Sequence, residues 1–153
     1  MPMSVNPTKD GFFCQEMLAR RHEFADPMAW LQAAFTRGVE KGYDLPWFFK
    51  DQKLEMLHGE VTELAEAMQE GDPAHIKREL GDVLWWVFAL CEQQGLTLQD
   101  VTASIAERWM TRRALLEQKC AALGYTLTNI PEDLSKQLWV ETKKELKAQE
   151  EAQ

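Results

Sequence analysis

Apolar residues along this chain recur every three or four positions, and no segment shows a convincing alternation with the period of two that is typical of strands. Glycines and Asp-Pro pairs divide the pattern into segments. These segments predict helices over about 27–41, 48–70, 73–94, 97–123 and 131–153, and a shorter helix over about 10–23. We therefore predict an all-α fold, a helical bundle of about five helices.

Local signals support these boundaries. Asp26-Pro27 and Asp72-Pro73 each place an N-cap aspartate before a proline at the first helical position. Thr97 with Asp100 resembles a capping box. We predict that four helices end at glycines that act as C-terminal caps, namely Gly42, Gly71, Gly95 and Gly124. We assign residues 1–153 to one domain, with 1–25 as an N-terminal arm and 131–153 as a C-terminal helix.

The third long helix is apolar around its full circumference from Val83 to Cys91. An ordinary surface helix has a single apolar stripe. This run is shorter than the roughly 18 apolar residues of a membrane span. A chain of this length can hardly cover one helix on all sides, so we predict a homodimer or homotetramer that associates through this helix. A monomeric bundle with an unusually well covered central helix is the alternative.

Carboxylates stand at matched positions on the second and third long helices. Glu60 and Glu63 precede the turn at Gly71, and Glu79 and Asp82 follow it; each pair has the three-residue spacing that puts both side chains on one side of a helix. A short turn makes consecutive helices antiparallel neighbours, so the two pairs could face each other. Carboxylates that converge in this way repel one another unless a cation binds. Oxygen ligands alone favour Mg²⁺ or Mn²⁺, and Mg²⁺ typically bridges to phosphates.

Acidic residues at this spacing are also common on solvated helix faces, and Glu55, Glu66 and Glu70 fit that description. Glu79 and Asp82 fall in the first turns of their helix, where the macrodipole favours negative charge. One pair alone would more often be surface than site. Two pairs at matched heights, one of them next to a wholly apolar run, favour a metal site.

Composition excludes several classes of protein. The net charge of −8 argues against a nucleic-acid partner. No stretch is apolar and long enough for a membrane span, and the N-terminus has no signal-peptide pattern. The three cysteines, Cys14, Cys91 and Cys120, suggest neither a disulfide framework nor a zinc site. We expect a cytoplasmic protein without a membrane or nucleic-acid partner.

The segments "LHGEVTELAEAM" and "ELGDVLWWVFALCEQQGLTL" resemble the two motifs of the MazG-like all-α nucleoside triphosphate pyrophosphohydrolases, over roughly Lys53 to Arg113. The resemblance implies helical subunits that form dimers or tetramers. It also implies Mg²⁺-dependent cleavage of a nucleoside triphosphate to a monophosphate and pyrophosphate, with Mn²⁺ as a possible substitute. By this resemblance the metal ligands are the four residues Glu60, Glu63, Glu79 and Asp82. Many relatives carry a further glutamate where this chain has Gly59, which leaves the number of metal ions open.

Further residues are candidates for catalysis and for contact with a nucleotide substrate. Glu63 is the candidate base, because it lies furthest from the apolar stripe of its helix. Arg108 and Arg112, four positions apart, are candidates to hold the triphosphate, although they could equally pair with the excess acid on the surface. Candidates to stack on the base are the tryptophans Trp30, Trp47 and Trp86, each of which is more often a core or interface residue. The favoured nucleotide is open, with dUTP or a purine such as dGTP among the choices.

Two other functions fit parts of the pattern. Glu55 and His58 have the Glu-x-x-His spacing of a di-iron carboxylate bundle, but that architecture needs a second such motif on another helix, and neither His22 nor His75 supplies it. A non-catalytic helical oligomerisation or adaptor module explains the apolar helix but not the four carboxylates.

Overall fold

The structure, a computed structural model, describes residues 13–41 and 51–153. These residues form six α-helices, one 3₁₀ helix and no strand, so the predicted all-α class is confirmed. The α-helices are α1 (Phe13–Ala19), α2 (Pro27–Glu40), α3 (Lys53–Glu70), α4 (Pro73–Gln93), α5 (Leu98–Ala122) and α6 (Glu132–Glu151), and the 3₁₀ helix is Arg21–Glu23. None of the helices described is both long and apolar enough to cross a membrane.

Two helices begin where the Asp-Pro pairs predicted. The Oδ1 atom of Asp26 accepts the backbone N–H of Met28 at 3.0 Å, and the same atom of Asp72 accepts that of Ala74 at 3.0 Å. Such caps each stabilise a helix by about 1 kcal/mol. Gly71 ends α3 with φ +76°, a left-handed conformation that glycine adopts without strain. Only Gly71 and Asp72 therefore separate α3 from α4, and the two helices pack as an antiparallel hairpin.

The start of α3 differs from the prediction. The sequence pattern placed it near Phe48, whereas Asp51 and Gln52 form a turn and the helix begins at Lys53. Residues 42–50, which contain Phe48, Trp47 and the predicted stop at Gly42, lie outside the described part of the chain.

The chain divides into two compact units, residues 1–101 and 102–153. In the first unit α2 contacts α4, where the rings of Phe35 and Trp85 lie 4.9 Å apart. Gln32 of α2 also accepts the backbone N–H of Leu98 at 2.8 Å. The second unit has its own small core, formed by Leu116, Cys120 and Leu138 with Tyr125, Leu127, Ile130, Leu134 and Trp139 around them. The assignment of residues 1–153 to a single domain stays a prediction.

The apolar run of α4 is only partly covered within one chain. Ala89 and Cys91 are buried, but Leu84 is 50% exposed and Trp85 46% exposed. The predicted apolar stripe of α3 consists of Leu54, Leu57, Val61, Leu64 and Met68. Leu57 and Leu64 are half-buried, whereas Leu54, Val61 and Met68 are exposed. These three lie seven positions apart and form one row, because seven residues are close to two helical turns.

Candidate metal centre

Three carboxylates from the α3–α4 hairpin converge. Glu60 of α3 and Glu79 and Asp82 of α4 each present one oxygen, and these oxygens lie within 4.8 Å of one another. Glu79 and Asp82 share a face because they are three residues apart on α4. Packing of α3 on α4 brings Glu60 to the same place. Carboxylate oxygens at this separation can bind one divalent cation together.

Glu79 is the central member of this group. Only 8% of the residue is exposed, which is unusual for a glutamate. Its Oε1 atom lies 3.1 Å from Nε2 of His75, whereas its Oε2 atom is buried and has no hydrogen-bond partner within residues 13–41 and 51–153. A buried carboxylate oxygen without a partner is strongly unfavourable unless a cation compensates for its lost hydration. The residues present therefore fit a bound divalent metal.

His75 connects Glu79 to a second carboxylate. Its Nδ1 atom lies 2.8 Å from Oε2 of Glu70, the last residue of α3. The hydrogen bond to Glu70 raises the pKa of His75 above its ordinary value. The sequence-based predictions exclude His75 from an iron site and do not include this contact. The signal was present, since His75 and Glu79 are four residues apart on one helix and so share a face.

Glu60 has a partner from the other helix. The indole N–H of Trp86 donates a hydrogen bond to Oε1 of Glu60 at 3.0 Å. Trp86 is one of the three tryptophans that the sequence offers as candidates to stack on the base. The structure shows that the N–H edge of its ring contacts the acidic cluster.

Glu63, the fourth predicted ligand, is exposed and is not a member of the converging group. It borders an open depression on the surface of α3, which is lined by Gln52, Glu55, Met56, Gly59, Glu60 and Glu63. On a helix, three residues correspond to a rotation of about 300°, so Glu63 points about 60° away from Glu60. Its roles as ligand and as base stay predictions.

The other residues predicted to contact the substrate are two arginines and two tryptophans. Arg108 is exposed and Arg112 half-buried, and both belong to the second unit, whereas the three carboxylates belong to the first. Trp30 donates its indole N–H to the carbonyl of Met17 at 2.9 Å, and the guanidinium of Arg21 lies 5.6 Å from the centre of its ring. Trp47 falls outside the described residues.

Comparison with known families identifies the segment that carries this cluster. Residues 50–114 match the MazG nucleotide pyrophosphohydrolase domain. The family predicted from the two acidic motifs is thereby confirmed for this segment. The MazG domain spans α3, α4 and the first part of α5, and it contains all four predicted metal ligands.

Curated proteins are also similar to parts of this chain. The histidine biosynthesis bifunctional protein HisIE of Oceanobacillus iheyensis is 30% identical over 91 residues, which cover 60% of this chain and 37% of that protein. The phosphoribosyl-ATP pyrophosphatases of Bacillus thuringiensis and Bacillus cereus are each 30% identical over 59 residues, which cover 39% of this chain and 55% of the relative. The chain thus spans about half or less of the length of these relatives. No solved structure gives a significant match.

Proposed function

We propose that this protein is a Mg²⁺-dependent pyrophosphohydrolase that cleaves nucleoside triphosphates to nucleoside monophosphates and pyrophosphate. The observation that carries the proposal is the convergence of Glu60, Glu79 and Asp82 within a MazG domain. One buried oxygen of Glu79 also lacks a hydrogen-bond partner in the described part of the chain. A divalent cation held by these carboxylates would supply the positive charge that the cluster lacks. The di-iron alternative needs histidine ligands, and the cluster consists of carboxylates alone.

A divalent cation bound at this cluster would neutralise phosphate oxygens and make a water molecule more acidic. In the proposed reaction the water oxygen bonds to the α-phosphorus as the bond from that phosphorus to the bridging oxygen breaks. Pyrophosphate leaves with the bonding electrons. Glu63, exposed beside Glu60 at the edge of the surface depression, is the proposed acceptor of the proton from water and passes it to solvent.

The charge of the substrate calls for cations from the protein as well. Arg108 and Arg112 are the proposed ligands for the β and γ phosphates, since guanidinium groups bind phosphate oxygens in pairs. They are four residues apart on α5, so one phosphate chain could contact both. The phosphate-binding role of both arginines rests on the family resemblance, because both lie within residues 50–114, the segment that matches the family.

The exposed apolar rows support the proposed homodimer or homotetramer. Leu54, Val61 and Met68 on α3 and Leu80 and Leu84 on α4 are each about half exposed or more in the single chain. We infer that these two rows fall on the same side of the antiparallel hairpin. Each row is rotated about its own helix axis, in the same direction, away from the face through which α3 and α4 contact each other. A second copy would bury such a surface.

A hydrolysis assay with a panel of nucleotides identifies the substrate. We would incubate the protein with Mg²⁺ and each canonical NTP and dNTP, dUTP and phosphoribosyl-ATP, and separate the products by chromatography. The last compound is included because two relatives are named as phosphoribosyl-ATP pyrophosphatases. Monophosphate, or its phosphoribosyl derivative, with pyrophosphate supports the proposal, and the order of rates names the favoured substrate, including any preference for dUTP or dGTP.

Matched variants assign the activity to the cluster. Glu79→Gln keeps the shape of the side chain but removes its charge, and we expect it to abolish turnover. Glu66→Gln makes the same change at an exposed position of α3, outside the cluster, and should leave the rate unchanged. Diphosphate and phosphate as products would contradict the assigned bond. Absence of turnover with every substrate would favour the adaptor module.

A further inference from the structure

We infer that Trp86 is a positioning residue of the metal centre, because its indole N–H holds one carboxylate oxygen of Glu60 across the α3–α4 hairpin. The inference rests on the proposed function, since it assigns Trp86 to the site proposed above. Neither the family match nor the relatives assign a role to this side chain. It also gives Trp86 a different task from stacking on a base.

The contact joins two helices at the cluster itself. The donor and acceptor residues are 26 positions apart in the chain, and the nitrogen-to-oxygen distance is 3.0 Å. Asp82 and Trp86 are four residues apart on α4, and Glu79 lies one turn before Asp82, so these three share one face of the helix. Trp86 therefore stands one turn beyond the carboxylates of α4 and reaches the carboxylate of α3.

The chemistry of the donor suits this task. An indole N–H donates one hydrogen bond and accepts none, and it carries no charge. A lysine or arginine in its place would neutralise Glu60 and compete with a bound cation. The N–H of Trp86 contacts one of the two oxygens of Glu60, so the carboxylate keeps its negative charge for a metal. Outer hydrogen bonds of this kind orient metal ligands and commonly change metal affinity about 10- to 100-fold.

The neighbouring tryptophan provides a matched comparison. Trp85 points to a different part of the unit, where its ring lies 4.9 Å from that of Phe35 with an angle of 37° between the planes. It makes no described contact with Glu60, Glu79 or Asp82. Replacing either tryptophan by phenylalanine keeps an aromatic ring and removes an indole N–H. Only the change at position 86 removes a donor from the acidic cluster.

The experiment measures the Mn²⁺ affinity of the full chain by titration calorimetry, for the wild type, Trp86→Phe and Trp85→Phe. We expect the dissociation constant of Trp86→Phe to rise about tenfold and that of Trp85→Phe to stay at the wild-type value. Thermal unfolding without metal serves as the check on structure. A loss of affinity in Trp86→Phe without a matching loss in melting temperature separates positioning from a packing role.

A second measurement needs no variant. In nitrogen–proton NMR spectra of the wild type, the indole N–H signal of Trp86 should shift on titration with Mg²⁺, with the dissociation constant of metal binding. The signal of Trp85 should stay in place. This measurement decides the question if Trp86→Phe does not fold, and an unmoved Trp86 signal would then overturn the inference.

The outcomes separate the inference from the proposed function. Wild-type affinity in a folded Trp86→Phe protein overturns the inference and leaves the pyrophosphohydrolase proposal standing. A wild-type protein that binds neither Mn²⁺ nor Mg²⁺ overturns both. Selective loss of affinity in Trp86→Phe supports both.

Discussion

The imidazole of His75 spans two glutamates, with Nε2 placed 3.1 Å from Oε1 of Glu79 and Nδ1 placed 2.8 Å from Oε2 of Glu70. Glu70 is the last residue of α3 and Glu79 lies in α4. The imidazole of His75 therefore links the end of α3 to the buried carboxylate of α4. One oxygen of Glu79 is thereby fixed. The other oxygen is buried and has no hydrogen-bond partner among the residues that the structure describes.

Replacement of His75 by glutamine should weaken metal binding. The shorter amide cannot reach both glutamates at once, so Glu79 would lose its fixed orientation. We expect the Mn²⁺ dissociation constant to rise about tenfold, in the range for lost outer contacts to a ligand. His58→Gln, at an exposed position of α3, is the control and should bind as the wild type does. Equal affinities for the two variants would show that the imidazole does not orient Glu79.

Metal should stabilise the folded protein, and Asp82 should be needed for this. A ligand at 100 times its dissociation constant raises the free energy of unfolding by about 2.7 kcal/mol. Asp82→Asn removes one of three converging charges, so we expect no loss of stability without metal and a much smaller increase with Mg²⁺. Melting curves with and without Mg²⁺ measure both effects. An undiminished Mg²⁺-dependent increase in this variant would exclude Asp82 as a ligand.

Replacement of Glu63 should affect kcat and metal affinity differently from replacement of one of the three converging carboxylates. As the proposed proton acceptor outside the cluster, Glu63→Gln should lower kcat about 10²-fold or more while the Mn²⁺ affinity stays near the wild-type value. Glu79→Gln, in contrast, should lose the metal. Calorimetry and steady-state kinetics on the two variants make the comparison. A loss of metal binding in Glu63→Gln would instead make it the fourth ligand.

Replacement of Gly59 by alanine should stabilise the folded protein. It lies in the interior of α3, is exposed, and a Cβ atom built on it would meet nothing within 4 Å. Gly59→Ala should therefore raise the free energy of unfolding by about 0.5–1 kcal/mol in urea titrations without metal. Gly71→Ala, where φ is +76°, should lower it by about 1–2 kcal/mol. The opposite result at Gly59 would indicate that its side of α3 is covered in the assembled protein.

The exposed apolar rows should mediate association. Leu84 is 50% exposed on α4, and Leu84→Glu would place a charge in the proposed interface between copies. We expect the variant to elute as a monomer in size-exclusion chromatography with light scattering. Leu18→Glu, at a 64% exposed position of α1, is the control and should keep the wild-type mass. A wild-type monomer, or a variant of unchanged mass, would contradict association through this surface.

Local sequence determined the helices and half of the site. Asp26 and Asp72 cap helices through their own side chains, and Gly71 adopts the left-handed conformation that ends α3, so these boundaries follow from neighbouring residues. The three-residue spacing of Glu79 and Asp82 likewise fixes their common face once α4 forms. The start of α3 was misplaced, because it has no capping side chain of this kind to mark it.

Tertiary structure decided the rest. Glu60 and Glu63 belong to the same motif. The way α3 packs on α4 directs Glu60 into the cluster, whereas Glu63 lies on the exposed side of α3. Trp86 meets Glu60 across 26 residues, and Trp85 meets Phe35 of α2 instead. Helical spacing gives the direction of a side chain relative to its own axis, whereas its partner depends on how whole helices pack, a balance of many apolar contacts along both surfaces.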